Sequence, residues 1–302
     1  MAGHHHHHID PQAGDTRVAL AVGANLALTL AQIVAGVAAG SLALIADAMH
    51  NLSDALALGI AFAARRIGRR PADATMTFGY GRAEVVAALI NYTTLIVIAV
   101  WLLSEGVMRL VAPEPVAGWI VVIVAGIALV VDVATVALTW AMAKSSVNIR
   151  AAFLHNLSDA MASVGVIVAG SLILLYGWHW LDAAVTLAIA GYILWQSLAG
   201  LVPVARILML ASPEGVDAAE VLDAMRSAPG VSGVHHLHLW RMDEHEAALE
   251  AHVVLSGEVP AQEVRLALRD LLRERFGLAH TTLQIESAET ACPEARAIGH
   301  PT

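Results

Sequence analysis

Six stretches of apolar residues, each close to the length of about 20 residues that an α-helix needs to cross a bilayer, constrain this chain more than any other feature. Their Ala, Val, Leu and Ile residues come in long runs rather than in alternation, which predicts membrane-spanning helices and not the strands of a barrel. Only 14% of all residues are charged and 58% are hydrophobic, which is too little charge to cover a soluble protein of this size. The predicted helices lie at residues 17–39, 42–64, 84–110, 117–143, 148–176 and 180–204.

Basic residues near the ends of these stretches predict the orientation, because the cytoplasmic loops of membrane proteins carry an excess of Lys and Arg. If all six stretches span the bilayer, nine basic residues fall on the side of both termini, and only Arg109 falls on the other side. Both termini are therefore predicted to be cytoplasmic. The nine residues are Arg17, Arg65, Arg66, Arg69, Arg70, Arg82, Lys144, Arg150 and Arg206.

After about residue 206 the pattern changes to short amphipathic segments, which predict a small α+β domain with the element order α-β-β-α-β on the cytoplasmic side. Its predicted elements are a helix over Pro213–Ser227, strands over Val234–Arg241 and Ala247–Leu255, a helix over Pro260–Phe276 and a strand over Thr281–Ile285. The predicted domains are a tail at 1–16, a membrane domain at 17–206, the cytoplasmic domain at 207–288 and a tail at 289–302.

The N-terminal tail carries five consecutive histidines, His4–His8, which are either a purification tag or a native metal-collecting segment. A single cysteine, Cys292, excludes a disulfide framework and any zinc module built from several cysteines. The net charge of -9 gives no support to nucleic-acid binding, so we expect no nucleic-acid partner.

The segment His-Asn-Leu-Ser-Asp-Ala occurs twice, at His50–Ala55 in the second predicted helix and at His155–Ala160 in the fifth. The two copies are predicted to cross the membrane in opposite directions, as in the inverted repeats of many transporters. In each copy His and Asp are four residues apart, which places both side chains on one face of a helix. If the helices pack antiparallel, two imidazoles and two carboxylates converge, a set that suits tetrahedral Zn²⁺. These four residues, the transmembrane quartet, are His50, Asp54, His155 and Asp159.

Ordinary packing is the competing explanation for polar residues at this depth, but each ionisable group there costs about 2.5–3.5 kcal/mol. Two identical His/Asp pairs are therefore hard to explain as packing. Asp47, one turn before His50, and Asp132 in the fourth helix are predicted as entrance or supporting carboxylates, with buried hydrogen bonding as the alternative. Asp182 is predicted to stabilise the N-terminus of the sixth helix.

Together with these features, the loop 77–84, which reads TFGYGRAE and leads into the third helix, resembles the cation diffusion facilitator family over residues 16–288. The likeness is to the bacterial zinc/cobalt/cadmium-resistance branch. It implies a homodimer in the bacterial inner membrane that exports divalent metal, with Zn²⁺ preferred, in exchange for protons. It also implies that the quartet carries the metal, and that a ferredoxin-like cytoplasmic domain binds metal and pairs the protomers.

Some members of that family have a further metal site in the loop between the second and third helices. Here the loop has Asp73 but no histidine, so we expect no full site there.

Histidines of the cytoplasmic domain are predicted as candidate ligands of a second metal site. Strand alternation turns His235 inward with Leu237 and Leu239, and His236 outward, which favours His236. The family resemblance instead favours His235 and His252, so both choices stay open. The family's ligand on the last strand corresponds to Gln284, a poor zinc ligand, and Cys292 is an additional candidate from the tail.

Three other functions compete with zinc export. Export of Co²⁺, Cd²⁺ or Ni²⁺ would use the same residues. An intramembrane metalloenzyme is disfavoured, because the chain has no HExxH motif and no nucleophile elbow. A passive channel is disfavoured because fast conduction requires weak binding. The sequence therefore predicts a transporter and not an enzyme.

Overall fold

The computed structural model describes residues 11–143, 147–244, 246–292 and 296–299. The chain forms two compact units, Met1–Ile60 with Ile90–Gly200, and Ala61–Leu89 with Leu201–Thr302. The His4–His8 run lies outside the described residues.

Long helices occupy each of the six predicted apolar stretches, which confirms the helices and most of their limits. α1 begins at Pro11, six residues earlier than predicted and within the predicted tail 1–16, and α2 and α6 each continue four residues further than predicted. The helices are α1 (Pro11–Ala39), α2 (Leu42–Gly68), α3 (Arg82–Val111), α4 (Gly118–Ala143), α5 (Val147–Tyr176) and α6 (Trp180–Leu208).

Four helical segments within the described residues are long and apolar enough to cross a membrane: Arg82–Val111, Gly118–Ala137, Asn156–Tyr176 and Trp180–Leu208. α1 contributes a shorter apolar segment, Leu26–Ala39. α2 is less apolar, because it carries two aspartates, a histidine and two arginines. The structure therefore confirms a multi-helix membrane domain, and the count of six spans stays a prediction.

One buried carboxylate joins the beginnings of two helices in the first unit. Asp182 of α6 accepts hydrogen bonds from the Ser41 hydroxyl at 2.5 Å and from the Leu42 backbone N–H at 2.7 Å. Asp182 lies in the first turn of α6, as predicted, but its side chain caps the N-terminus of α2 instead. Gly40 makes the sharp turn between α1 and α2 that allows this contact. Its φ of 69° lies in the left-handed region that glycine adopts without steric cost.

The core of the first unit consists mainly of Ala, Val, Leu and Ile side chains from α1 to α6. Its outer faces are also apolar: Val34, Val130 and Trp195 are each about two-thirds exposed or more. Exposed apolar side chains on long apolar helices are what a lipid-facing surface requires.

The C-terminal part of the chain has the predicted order α-β-β-α-β. β1 pairs with β2 antiparallel and β2 with β3 parallel, giving a sheet in the order β1-β2-β3, while the full ferredoxin-like topology stays an expectation. The first helix begins at Ala218 rather than at Pro213, because Asp217 caps it by accepting a hydrogen bond from the Ala219 N–H. The elements are α7 (Ala218–Arg226), β1 (Val231–Arg241), β2 (Ala247–Leu255), α8 (Ala261–Phe276) and β3 (His280–Glu286).

A β-bulge in β1 overturns the predicted alternation of its histidines. His235 pairs with His252 and His238 pairs with Glu250, so both β1 histidines stand on the same sheet face although they are three residues apart. The extra residue is accommodated at His236, whose φ is 58°. Leu237 is buried, as predicted.

Candidate metal centres

Three side chains of the transmembrane quartet meet between α2 and α5. Nε2 of His50 lies 3.3 Å from Oδ1 of Asp159 and 3.7 Å from Oδ2 of Asp54. His155 lies on α5 four residues before Asp159, but its side chain is outside the described residues. The structure therefore brings together the three predicted residues whose side chains it describes.

The sequence explains this meeting point locally. His50 and Asp54 lie one turn apart on α2, so both side chains project from the same face of the helix. His50 itself is buried.

The spacing of these atoms suits a tetrahedral metal ion. Two ligands bound to one Zn²⁺ at about 2.0–2.1 Å lie about 3.3 Å from each other. The observed separations between the His50 nitrogen and the two carboxylate oxygens, 3.3 and 3.7 Å, are close to that value. Nε2 of His50 therefore lies near the ligand-to-ligand distance of a zinc site from one oxygen of each aspartate.

Asp47 and Asp132 lie beside this group, but the structure gives each a hydrogen-bond donor of its own. Gln32 donates from Nε2 to Oδ2 of Asp47 at 2.8 Å, and the Ser163 hydroxyl donates to Oδ2 of Asp132 at 3.0 Å. Asp47 is buried.

In the loop between α2 and α3, Asp73 serves as the centre of a turn. Its carboxylate accepts hydrogen bonds from the Thr75 hydroxyl at 2.7 Å, the Thr75 N–H at 2.8 Å, the Tyr80 hydroxyl at 2.7 Å and the Met76 N–H at 2.9 Å. These donors favour the charged form and hold the pKa of Asp73 well below its usual range, and the same contact raises the pKa of Tyr80.

The cytoplasmic sheet carries a second group of metal-binding side chains. His235, His252, Glu286 and Cys292 each offer a ligand atom, and these atoms all lie within 4.8 Å of one another. The Glu286 carboxylate lies between the two imidazoles, 2.7 Å from Nδ1 of His252 and 3.2 Å from Nε2 of His235. We call these four residues the cytoplasmic group.

Strand register explains how the cytoplasmic group forms. His235 and His252 are direct partners across β1 and β2, and Glu286 ends the adjacent strand β3. Gln284 lies opposite His252 and donates from Nε2 to Oε1 of Glu286 at 3.0 Å, so it supports the carboxylate rather than replacing it. His236 is not in the group, although the centre of its ring lies 4.9 Å from that of His252.

Part of the C-terminal tail returns to the sheet, which sequence reasoning did not anticipate. The backbone N–H groups of His236 and Leu237 donate to the carbonyls of Arg296 and Ala297 at 2.9 and 3.1 Å. This pairing occurs at the bulge and lies four residues beyond Cys292. Glu286 is not among the predicted ligands, although strand alternation places it with Gln284 on the polar face of β3, where metal binding is expected.

The donor set of the cytoplasmic group fits zinc. Two imidazole nitrogens, a carboxylate oxygen and a thiolate sulfur are all common ligands of tetrahedral Zn²⁺, and four protein ligands are typical of a closed, non-catalytic site. Oxygen-preferring ions such as Mg²⁺ suit this set poorly.

Comparison with known proteins covers nearly the whole chain. Residues 18–209 match the family described as the cation efflux transmembrane domain, and residues 213–288 match the cytoplasmic domain of cation efflux proteins. The chain is 36% identical over 300 residues to the metal cation efflux system protein CzcD of Cupriavidus metallidurans, covering 99% of this chain and 94% of that protein.

Two further relatives have more specific names. The cadmium, cobalt and zinc/H(+)-K(+) antiporter of Bacillus velezensis is 31% identical over 293 residues, covering 95% of this chain and 92% of the relative. The zinc transporter ZitB of Pectobacterium atrosepticum is 34% identical over 291 residues, covering 93% and 88%.

Proposed function

The chain belongs to the cation diffusion facilitator family, whose members are transporters of divalent metal and not enzymes, and we propose that it exports Zn²⁺ from the cytoplasm by exchange for a counter-cation. H⁺ is the first candidate for the counter-cation. K⁺ is a second candidate, because the name of the Bacillus relative includes both ions.

The observation that carries the proposal is the meeting of His50, Asp54 and Asp159 at ligand-to-ligand distances of 3.3 and 3.7 Å. His155 completes the set as the partner of Asp159 in the second HNLSDA copy. Two carboxylates neutralise the two charges of Zn²⁺, which lowers the cost of holding the ion between apolar helices. The imidazoles favour zinc over harder ions such as Mn²⁺.

Proton exchange follows from the same ligands. The quartet holds metal only when its imidazoles are neutral and its carboxylates ionised, so metal and protons compete for it. The reference pKa of histidine is about 6.5, so this competition occurs near physiological pH. Each proton exchanged contributes about 1.4 kcal/mol per unit of pH difference across the membrane.

For the finer topology we propose six spans in the bacterial inner membrane, with both termini in the cytoplasm. The excess of Lys and Arg on the side of both termini supports this orientation. We further propose a homodimer in which the cytoplasmic group binds Zn²⁺ and regulates transport. The donor set of that group and the match of residues 213–288 to the family's cytoplasmic domain support this role.

A transport assay tests the proposal directly. The purified full-length protein is reconstituted into vesicles with an acidic lumen, and Zn²⁺ uptake and luminal pH are followed with fluorescent dyes. We expect uphill Zn²⁺ accumulation that raises the luminal pH and stops when the gradient is collapsed. The variants Asp54→Ala and Asp159→Ala should lose accumulation, because either leaves the site with three ligands and too little negative charge.

The control is Glu105→Gln, which removes a carboxylate that pairs with Arg109 on α3 at 3.6 Å, away from the quartet. It should transport at the wild-type rate. If Asp159→Ala also transports at that rate, the site is wrong. If the wild-type protein accumulates Co²⁺ or Cd²⁺ but not Zn²⁺, the chain is an exporter of another metal. Cadmium and cobalt both appear in the name of the Bacillus relative.

A further inference from the structure

A second polar group lies in the same helical unit as the quartet and consists of oxygen ligands with one amide. Asp47 of α2 is joined to Gln32 of α1 by a hydrogen bond of 2.8 Å, and Asp132 of α4 is joined to Ser163 of α5 by one of 3.0 Å. Gln32 and Ser163 are fully buried, and Asp47 is 2% exposed. We call these four residues the oxygen cluster.

The oxygen cluster lies one helical turn from the quartet, in a consistent direction. Asp47 precedes His50 by three residues, toward the beginning of α2, and Ser163 follows Asp159 by four residues, toward the end of α5. Under the predicted orientation both steps lead toward the non-cytoplasmic side. Metal leaving the quartet outward, or a counter-cation entering, would pass this level of the bundle.

The cluster combines two aspartates with an unused hydrogen-bond acceptor. The Asp47 side chain interacts electrostatically with Asp132 and Asp159 and with the imidazole of His50. Oε1 of Gln32 is buried and has no hydrogen-bond donor among the described residues. Rotating the Gln32 amide to bring Oε1 toward a donor would withdraw Nε2 from the Asp47 carboxylate and break that hydrogen bond. The buried Asp47, the half-buried Asp132 and an unpaired buried carbonyl at one level of the bundle form a set that a bound cation would satisfy.

We propose that the oxygen cluster binds the counter-transported monovalent cation, H⁺ or K⁺, at a site distinct from the zinc quartet. Carboxylate, amide and hydroxyl oxygens suit hard cations, whereas the imidazoles of the quartet suit zinc. Zn²⁺ in the quartet and a cation in the cluster repel each other across one helical turn, so occupancy of one site favours release from the other. This inference rests on the proposed zinc export and adds a second binding place for the exchanged ion, one turn outward of the quartet for which metal and protons compete.

The test separates exchange of zinc for zinc from net uphill transport. Both are measured on the full-length protein in vesicles: isotopic Zn²⁺ exchange at equal concentrations, which requires no net counter-cation, and accumulation against a zinc gradient. Accumulation is driven in one arm by a pH gradient without K⁺, and in the other by a K⁺ gradient at equal pH. The variants are Asp47→Asn and Asp132→Asn, which remove charge and keep a hydrogen-bond acceptor, with Glu105→Gln as the control.

We expect the ratio of accumulation to exchange to fall at least tenfold in both cluster variants and to stay at the wild-type value in Glu105→Gln. Loss in the pH arm alone identifies H⁺ as the ion, and loss in the K⁺ arm identifies K⁺. If accumulation and exchange fall by the same factor, the carboxylates only support the helices and the inference is overturned, as it is if the ratio does not change. A wild-type protein that moves no zinc at all would instead refute the proposed function.

Discussion

Replacement of Glu286 by glutamine tests whether the cytoplasmic group is a metal site. The carboxylate is almost fully buried between two imidazoles, at 2.7 Å from His252 and 3.2 Å from His235, and it is the only carboxylate of the four-residue group. Zinc sites with four protein ligands bind with an apparent free energy of about 10–16 kcal/mol, or roughly 2.5–4 kcal/mol per ligand. Glu286→Gln keeps the size of the side chain but removes its charge, so we expect the loss of about 3 kcal/mol.

A loss of about 3 kcal/mol corresponds to roughly a 100-fold weaker zinc affinity. The measurement is competition with a zinc-chelating dye, using full-length protein that also carries Asp54→Ala and Asp159→Ala, so that the quartet does not contribute. The matched control is Glu250→Gln, an exposed carboxylate on the same strand as His252 that is not in the cytoplasmic group.

The control should bind zinc within about threefold of the parent protein, since an exposed charge contributes at most about 1 kcal/mol. A Glu286→Gln protein that keeps its zinc affinity within threefold would refute the assignment of Glu286 as a ligand. Equal losses in both variants would show that the general negative charge of the sheet face, and not a ligand bond, holds the metal.

Three further predictions concern single residues. Asp182→Ala should lower the free energy of unfolding in detergent by about 2–4 kcal/mol, because the buried N–H of Leu42 and its neighbouring hydroxyl lose their acceptor, whereas an unchanged melting temperature would exclude the cap. His50→Asp should weaken the preference for Zn²⁺ over Mn²⁺ in competition transport assays, and an unchanged ranking would contradict the role given to imidazole. Tyr80→Phe should raise the pKa of Asp73 toward its ordinary value in an NMR titration, because one hydrogen bond to the charged form is lost; an unchanged pKa would show that the Thr75 hydroxyl and the backbone donors suffice.

The helices of the membrane domain could be predicted from the sequence because the decisive signal is local. A run of about 20 apolar residues needs no knowledge of its neighbours to be identified as a helix. What the sequence did not reveal was a contact between helices: Asp182 lies 141 positions from Ser41, and nothing near it indicates that it caps α2 rather than its own helix.

The pairing of His50 with Asp54 is local in the same sense, since a spacing of four residues fixes both side chains on one helix face. The repeat of that spacing in α5 then made Asp159 a strong candidate for the same site. Only the packing of α2 against α5 remained to be supplied by the fold, and the structure places Asp159 within 3.3 Å of His50.

The cytoplasmic group is the opposite case, because none of its contacts follows from spacing along one element. A shift of one residue in a strand moves every side chain to the other face, so the bulge at His236 decides which histidines share a face. That bulge coincides with pairing to residues 296–297, which lie in the predicted C-terminal tail. Three adjacent strands and the tail must therefore be in register before His235, His252 and Glu286 can meet. A metal ion that binds all of them stabilises that register, so zinc should protect the backbone amides of β1 near the bulge from hydrogen exchange more than those of α7 or α8.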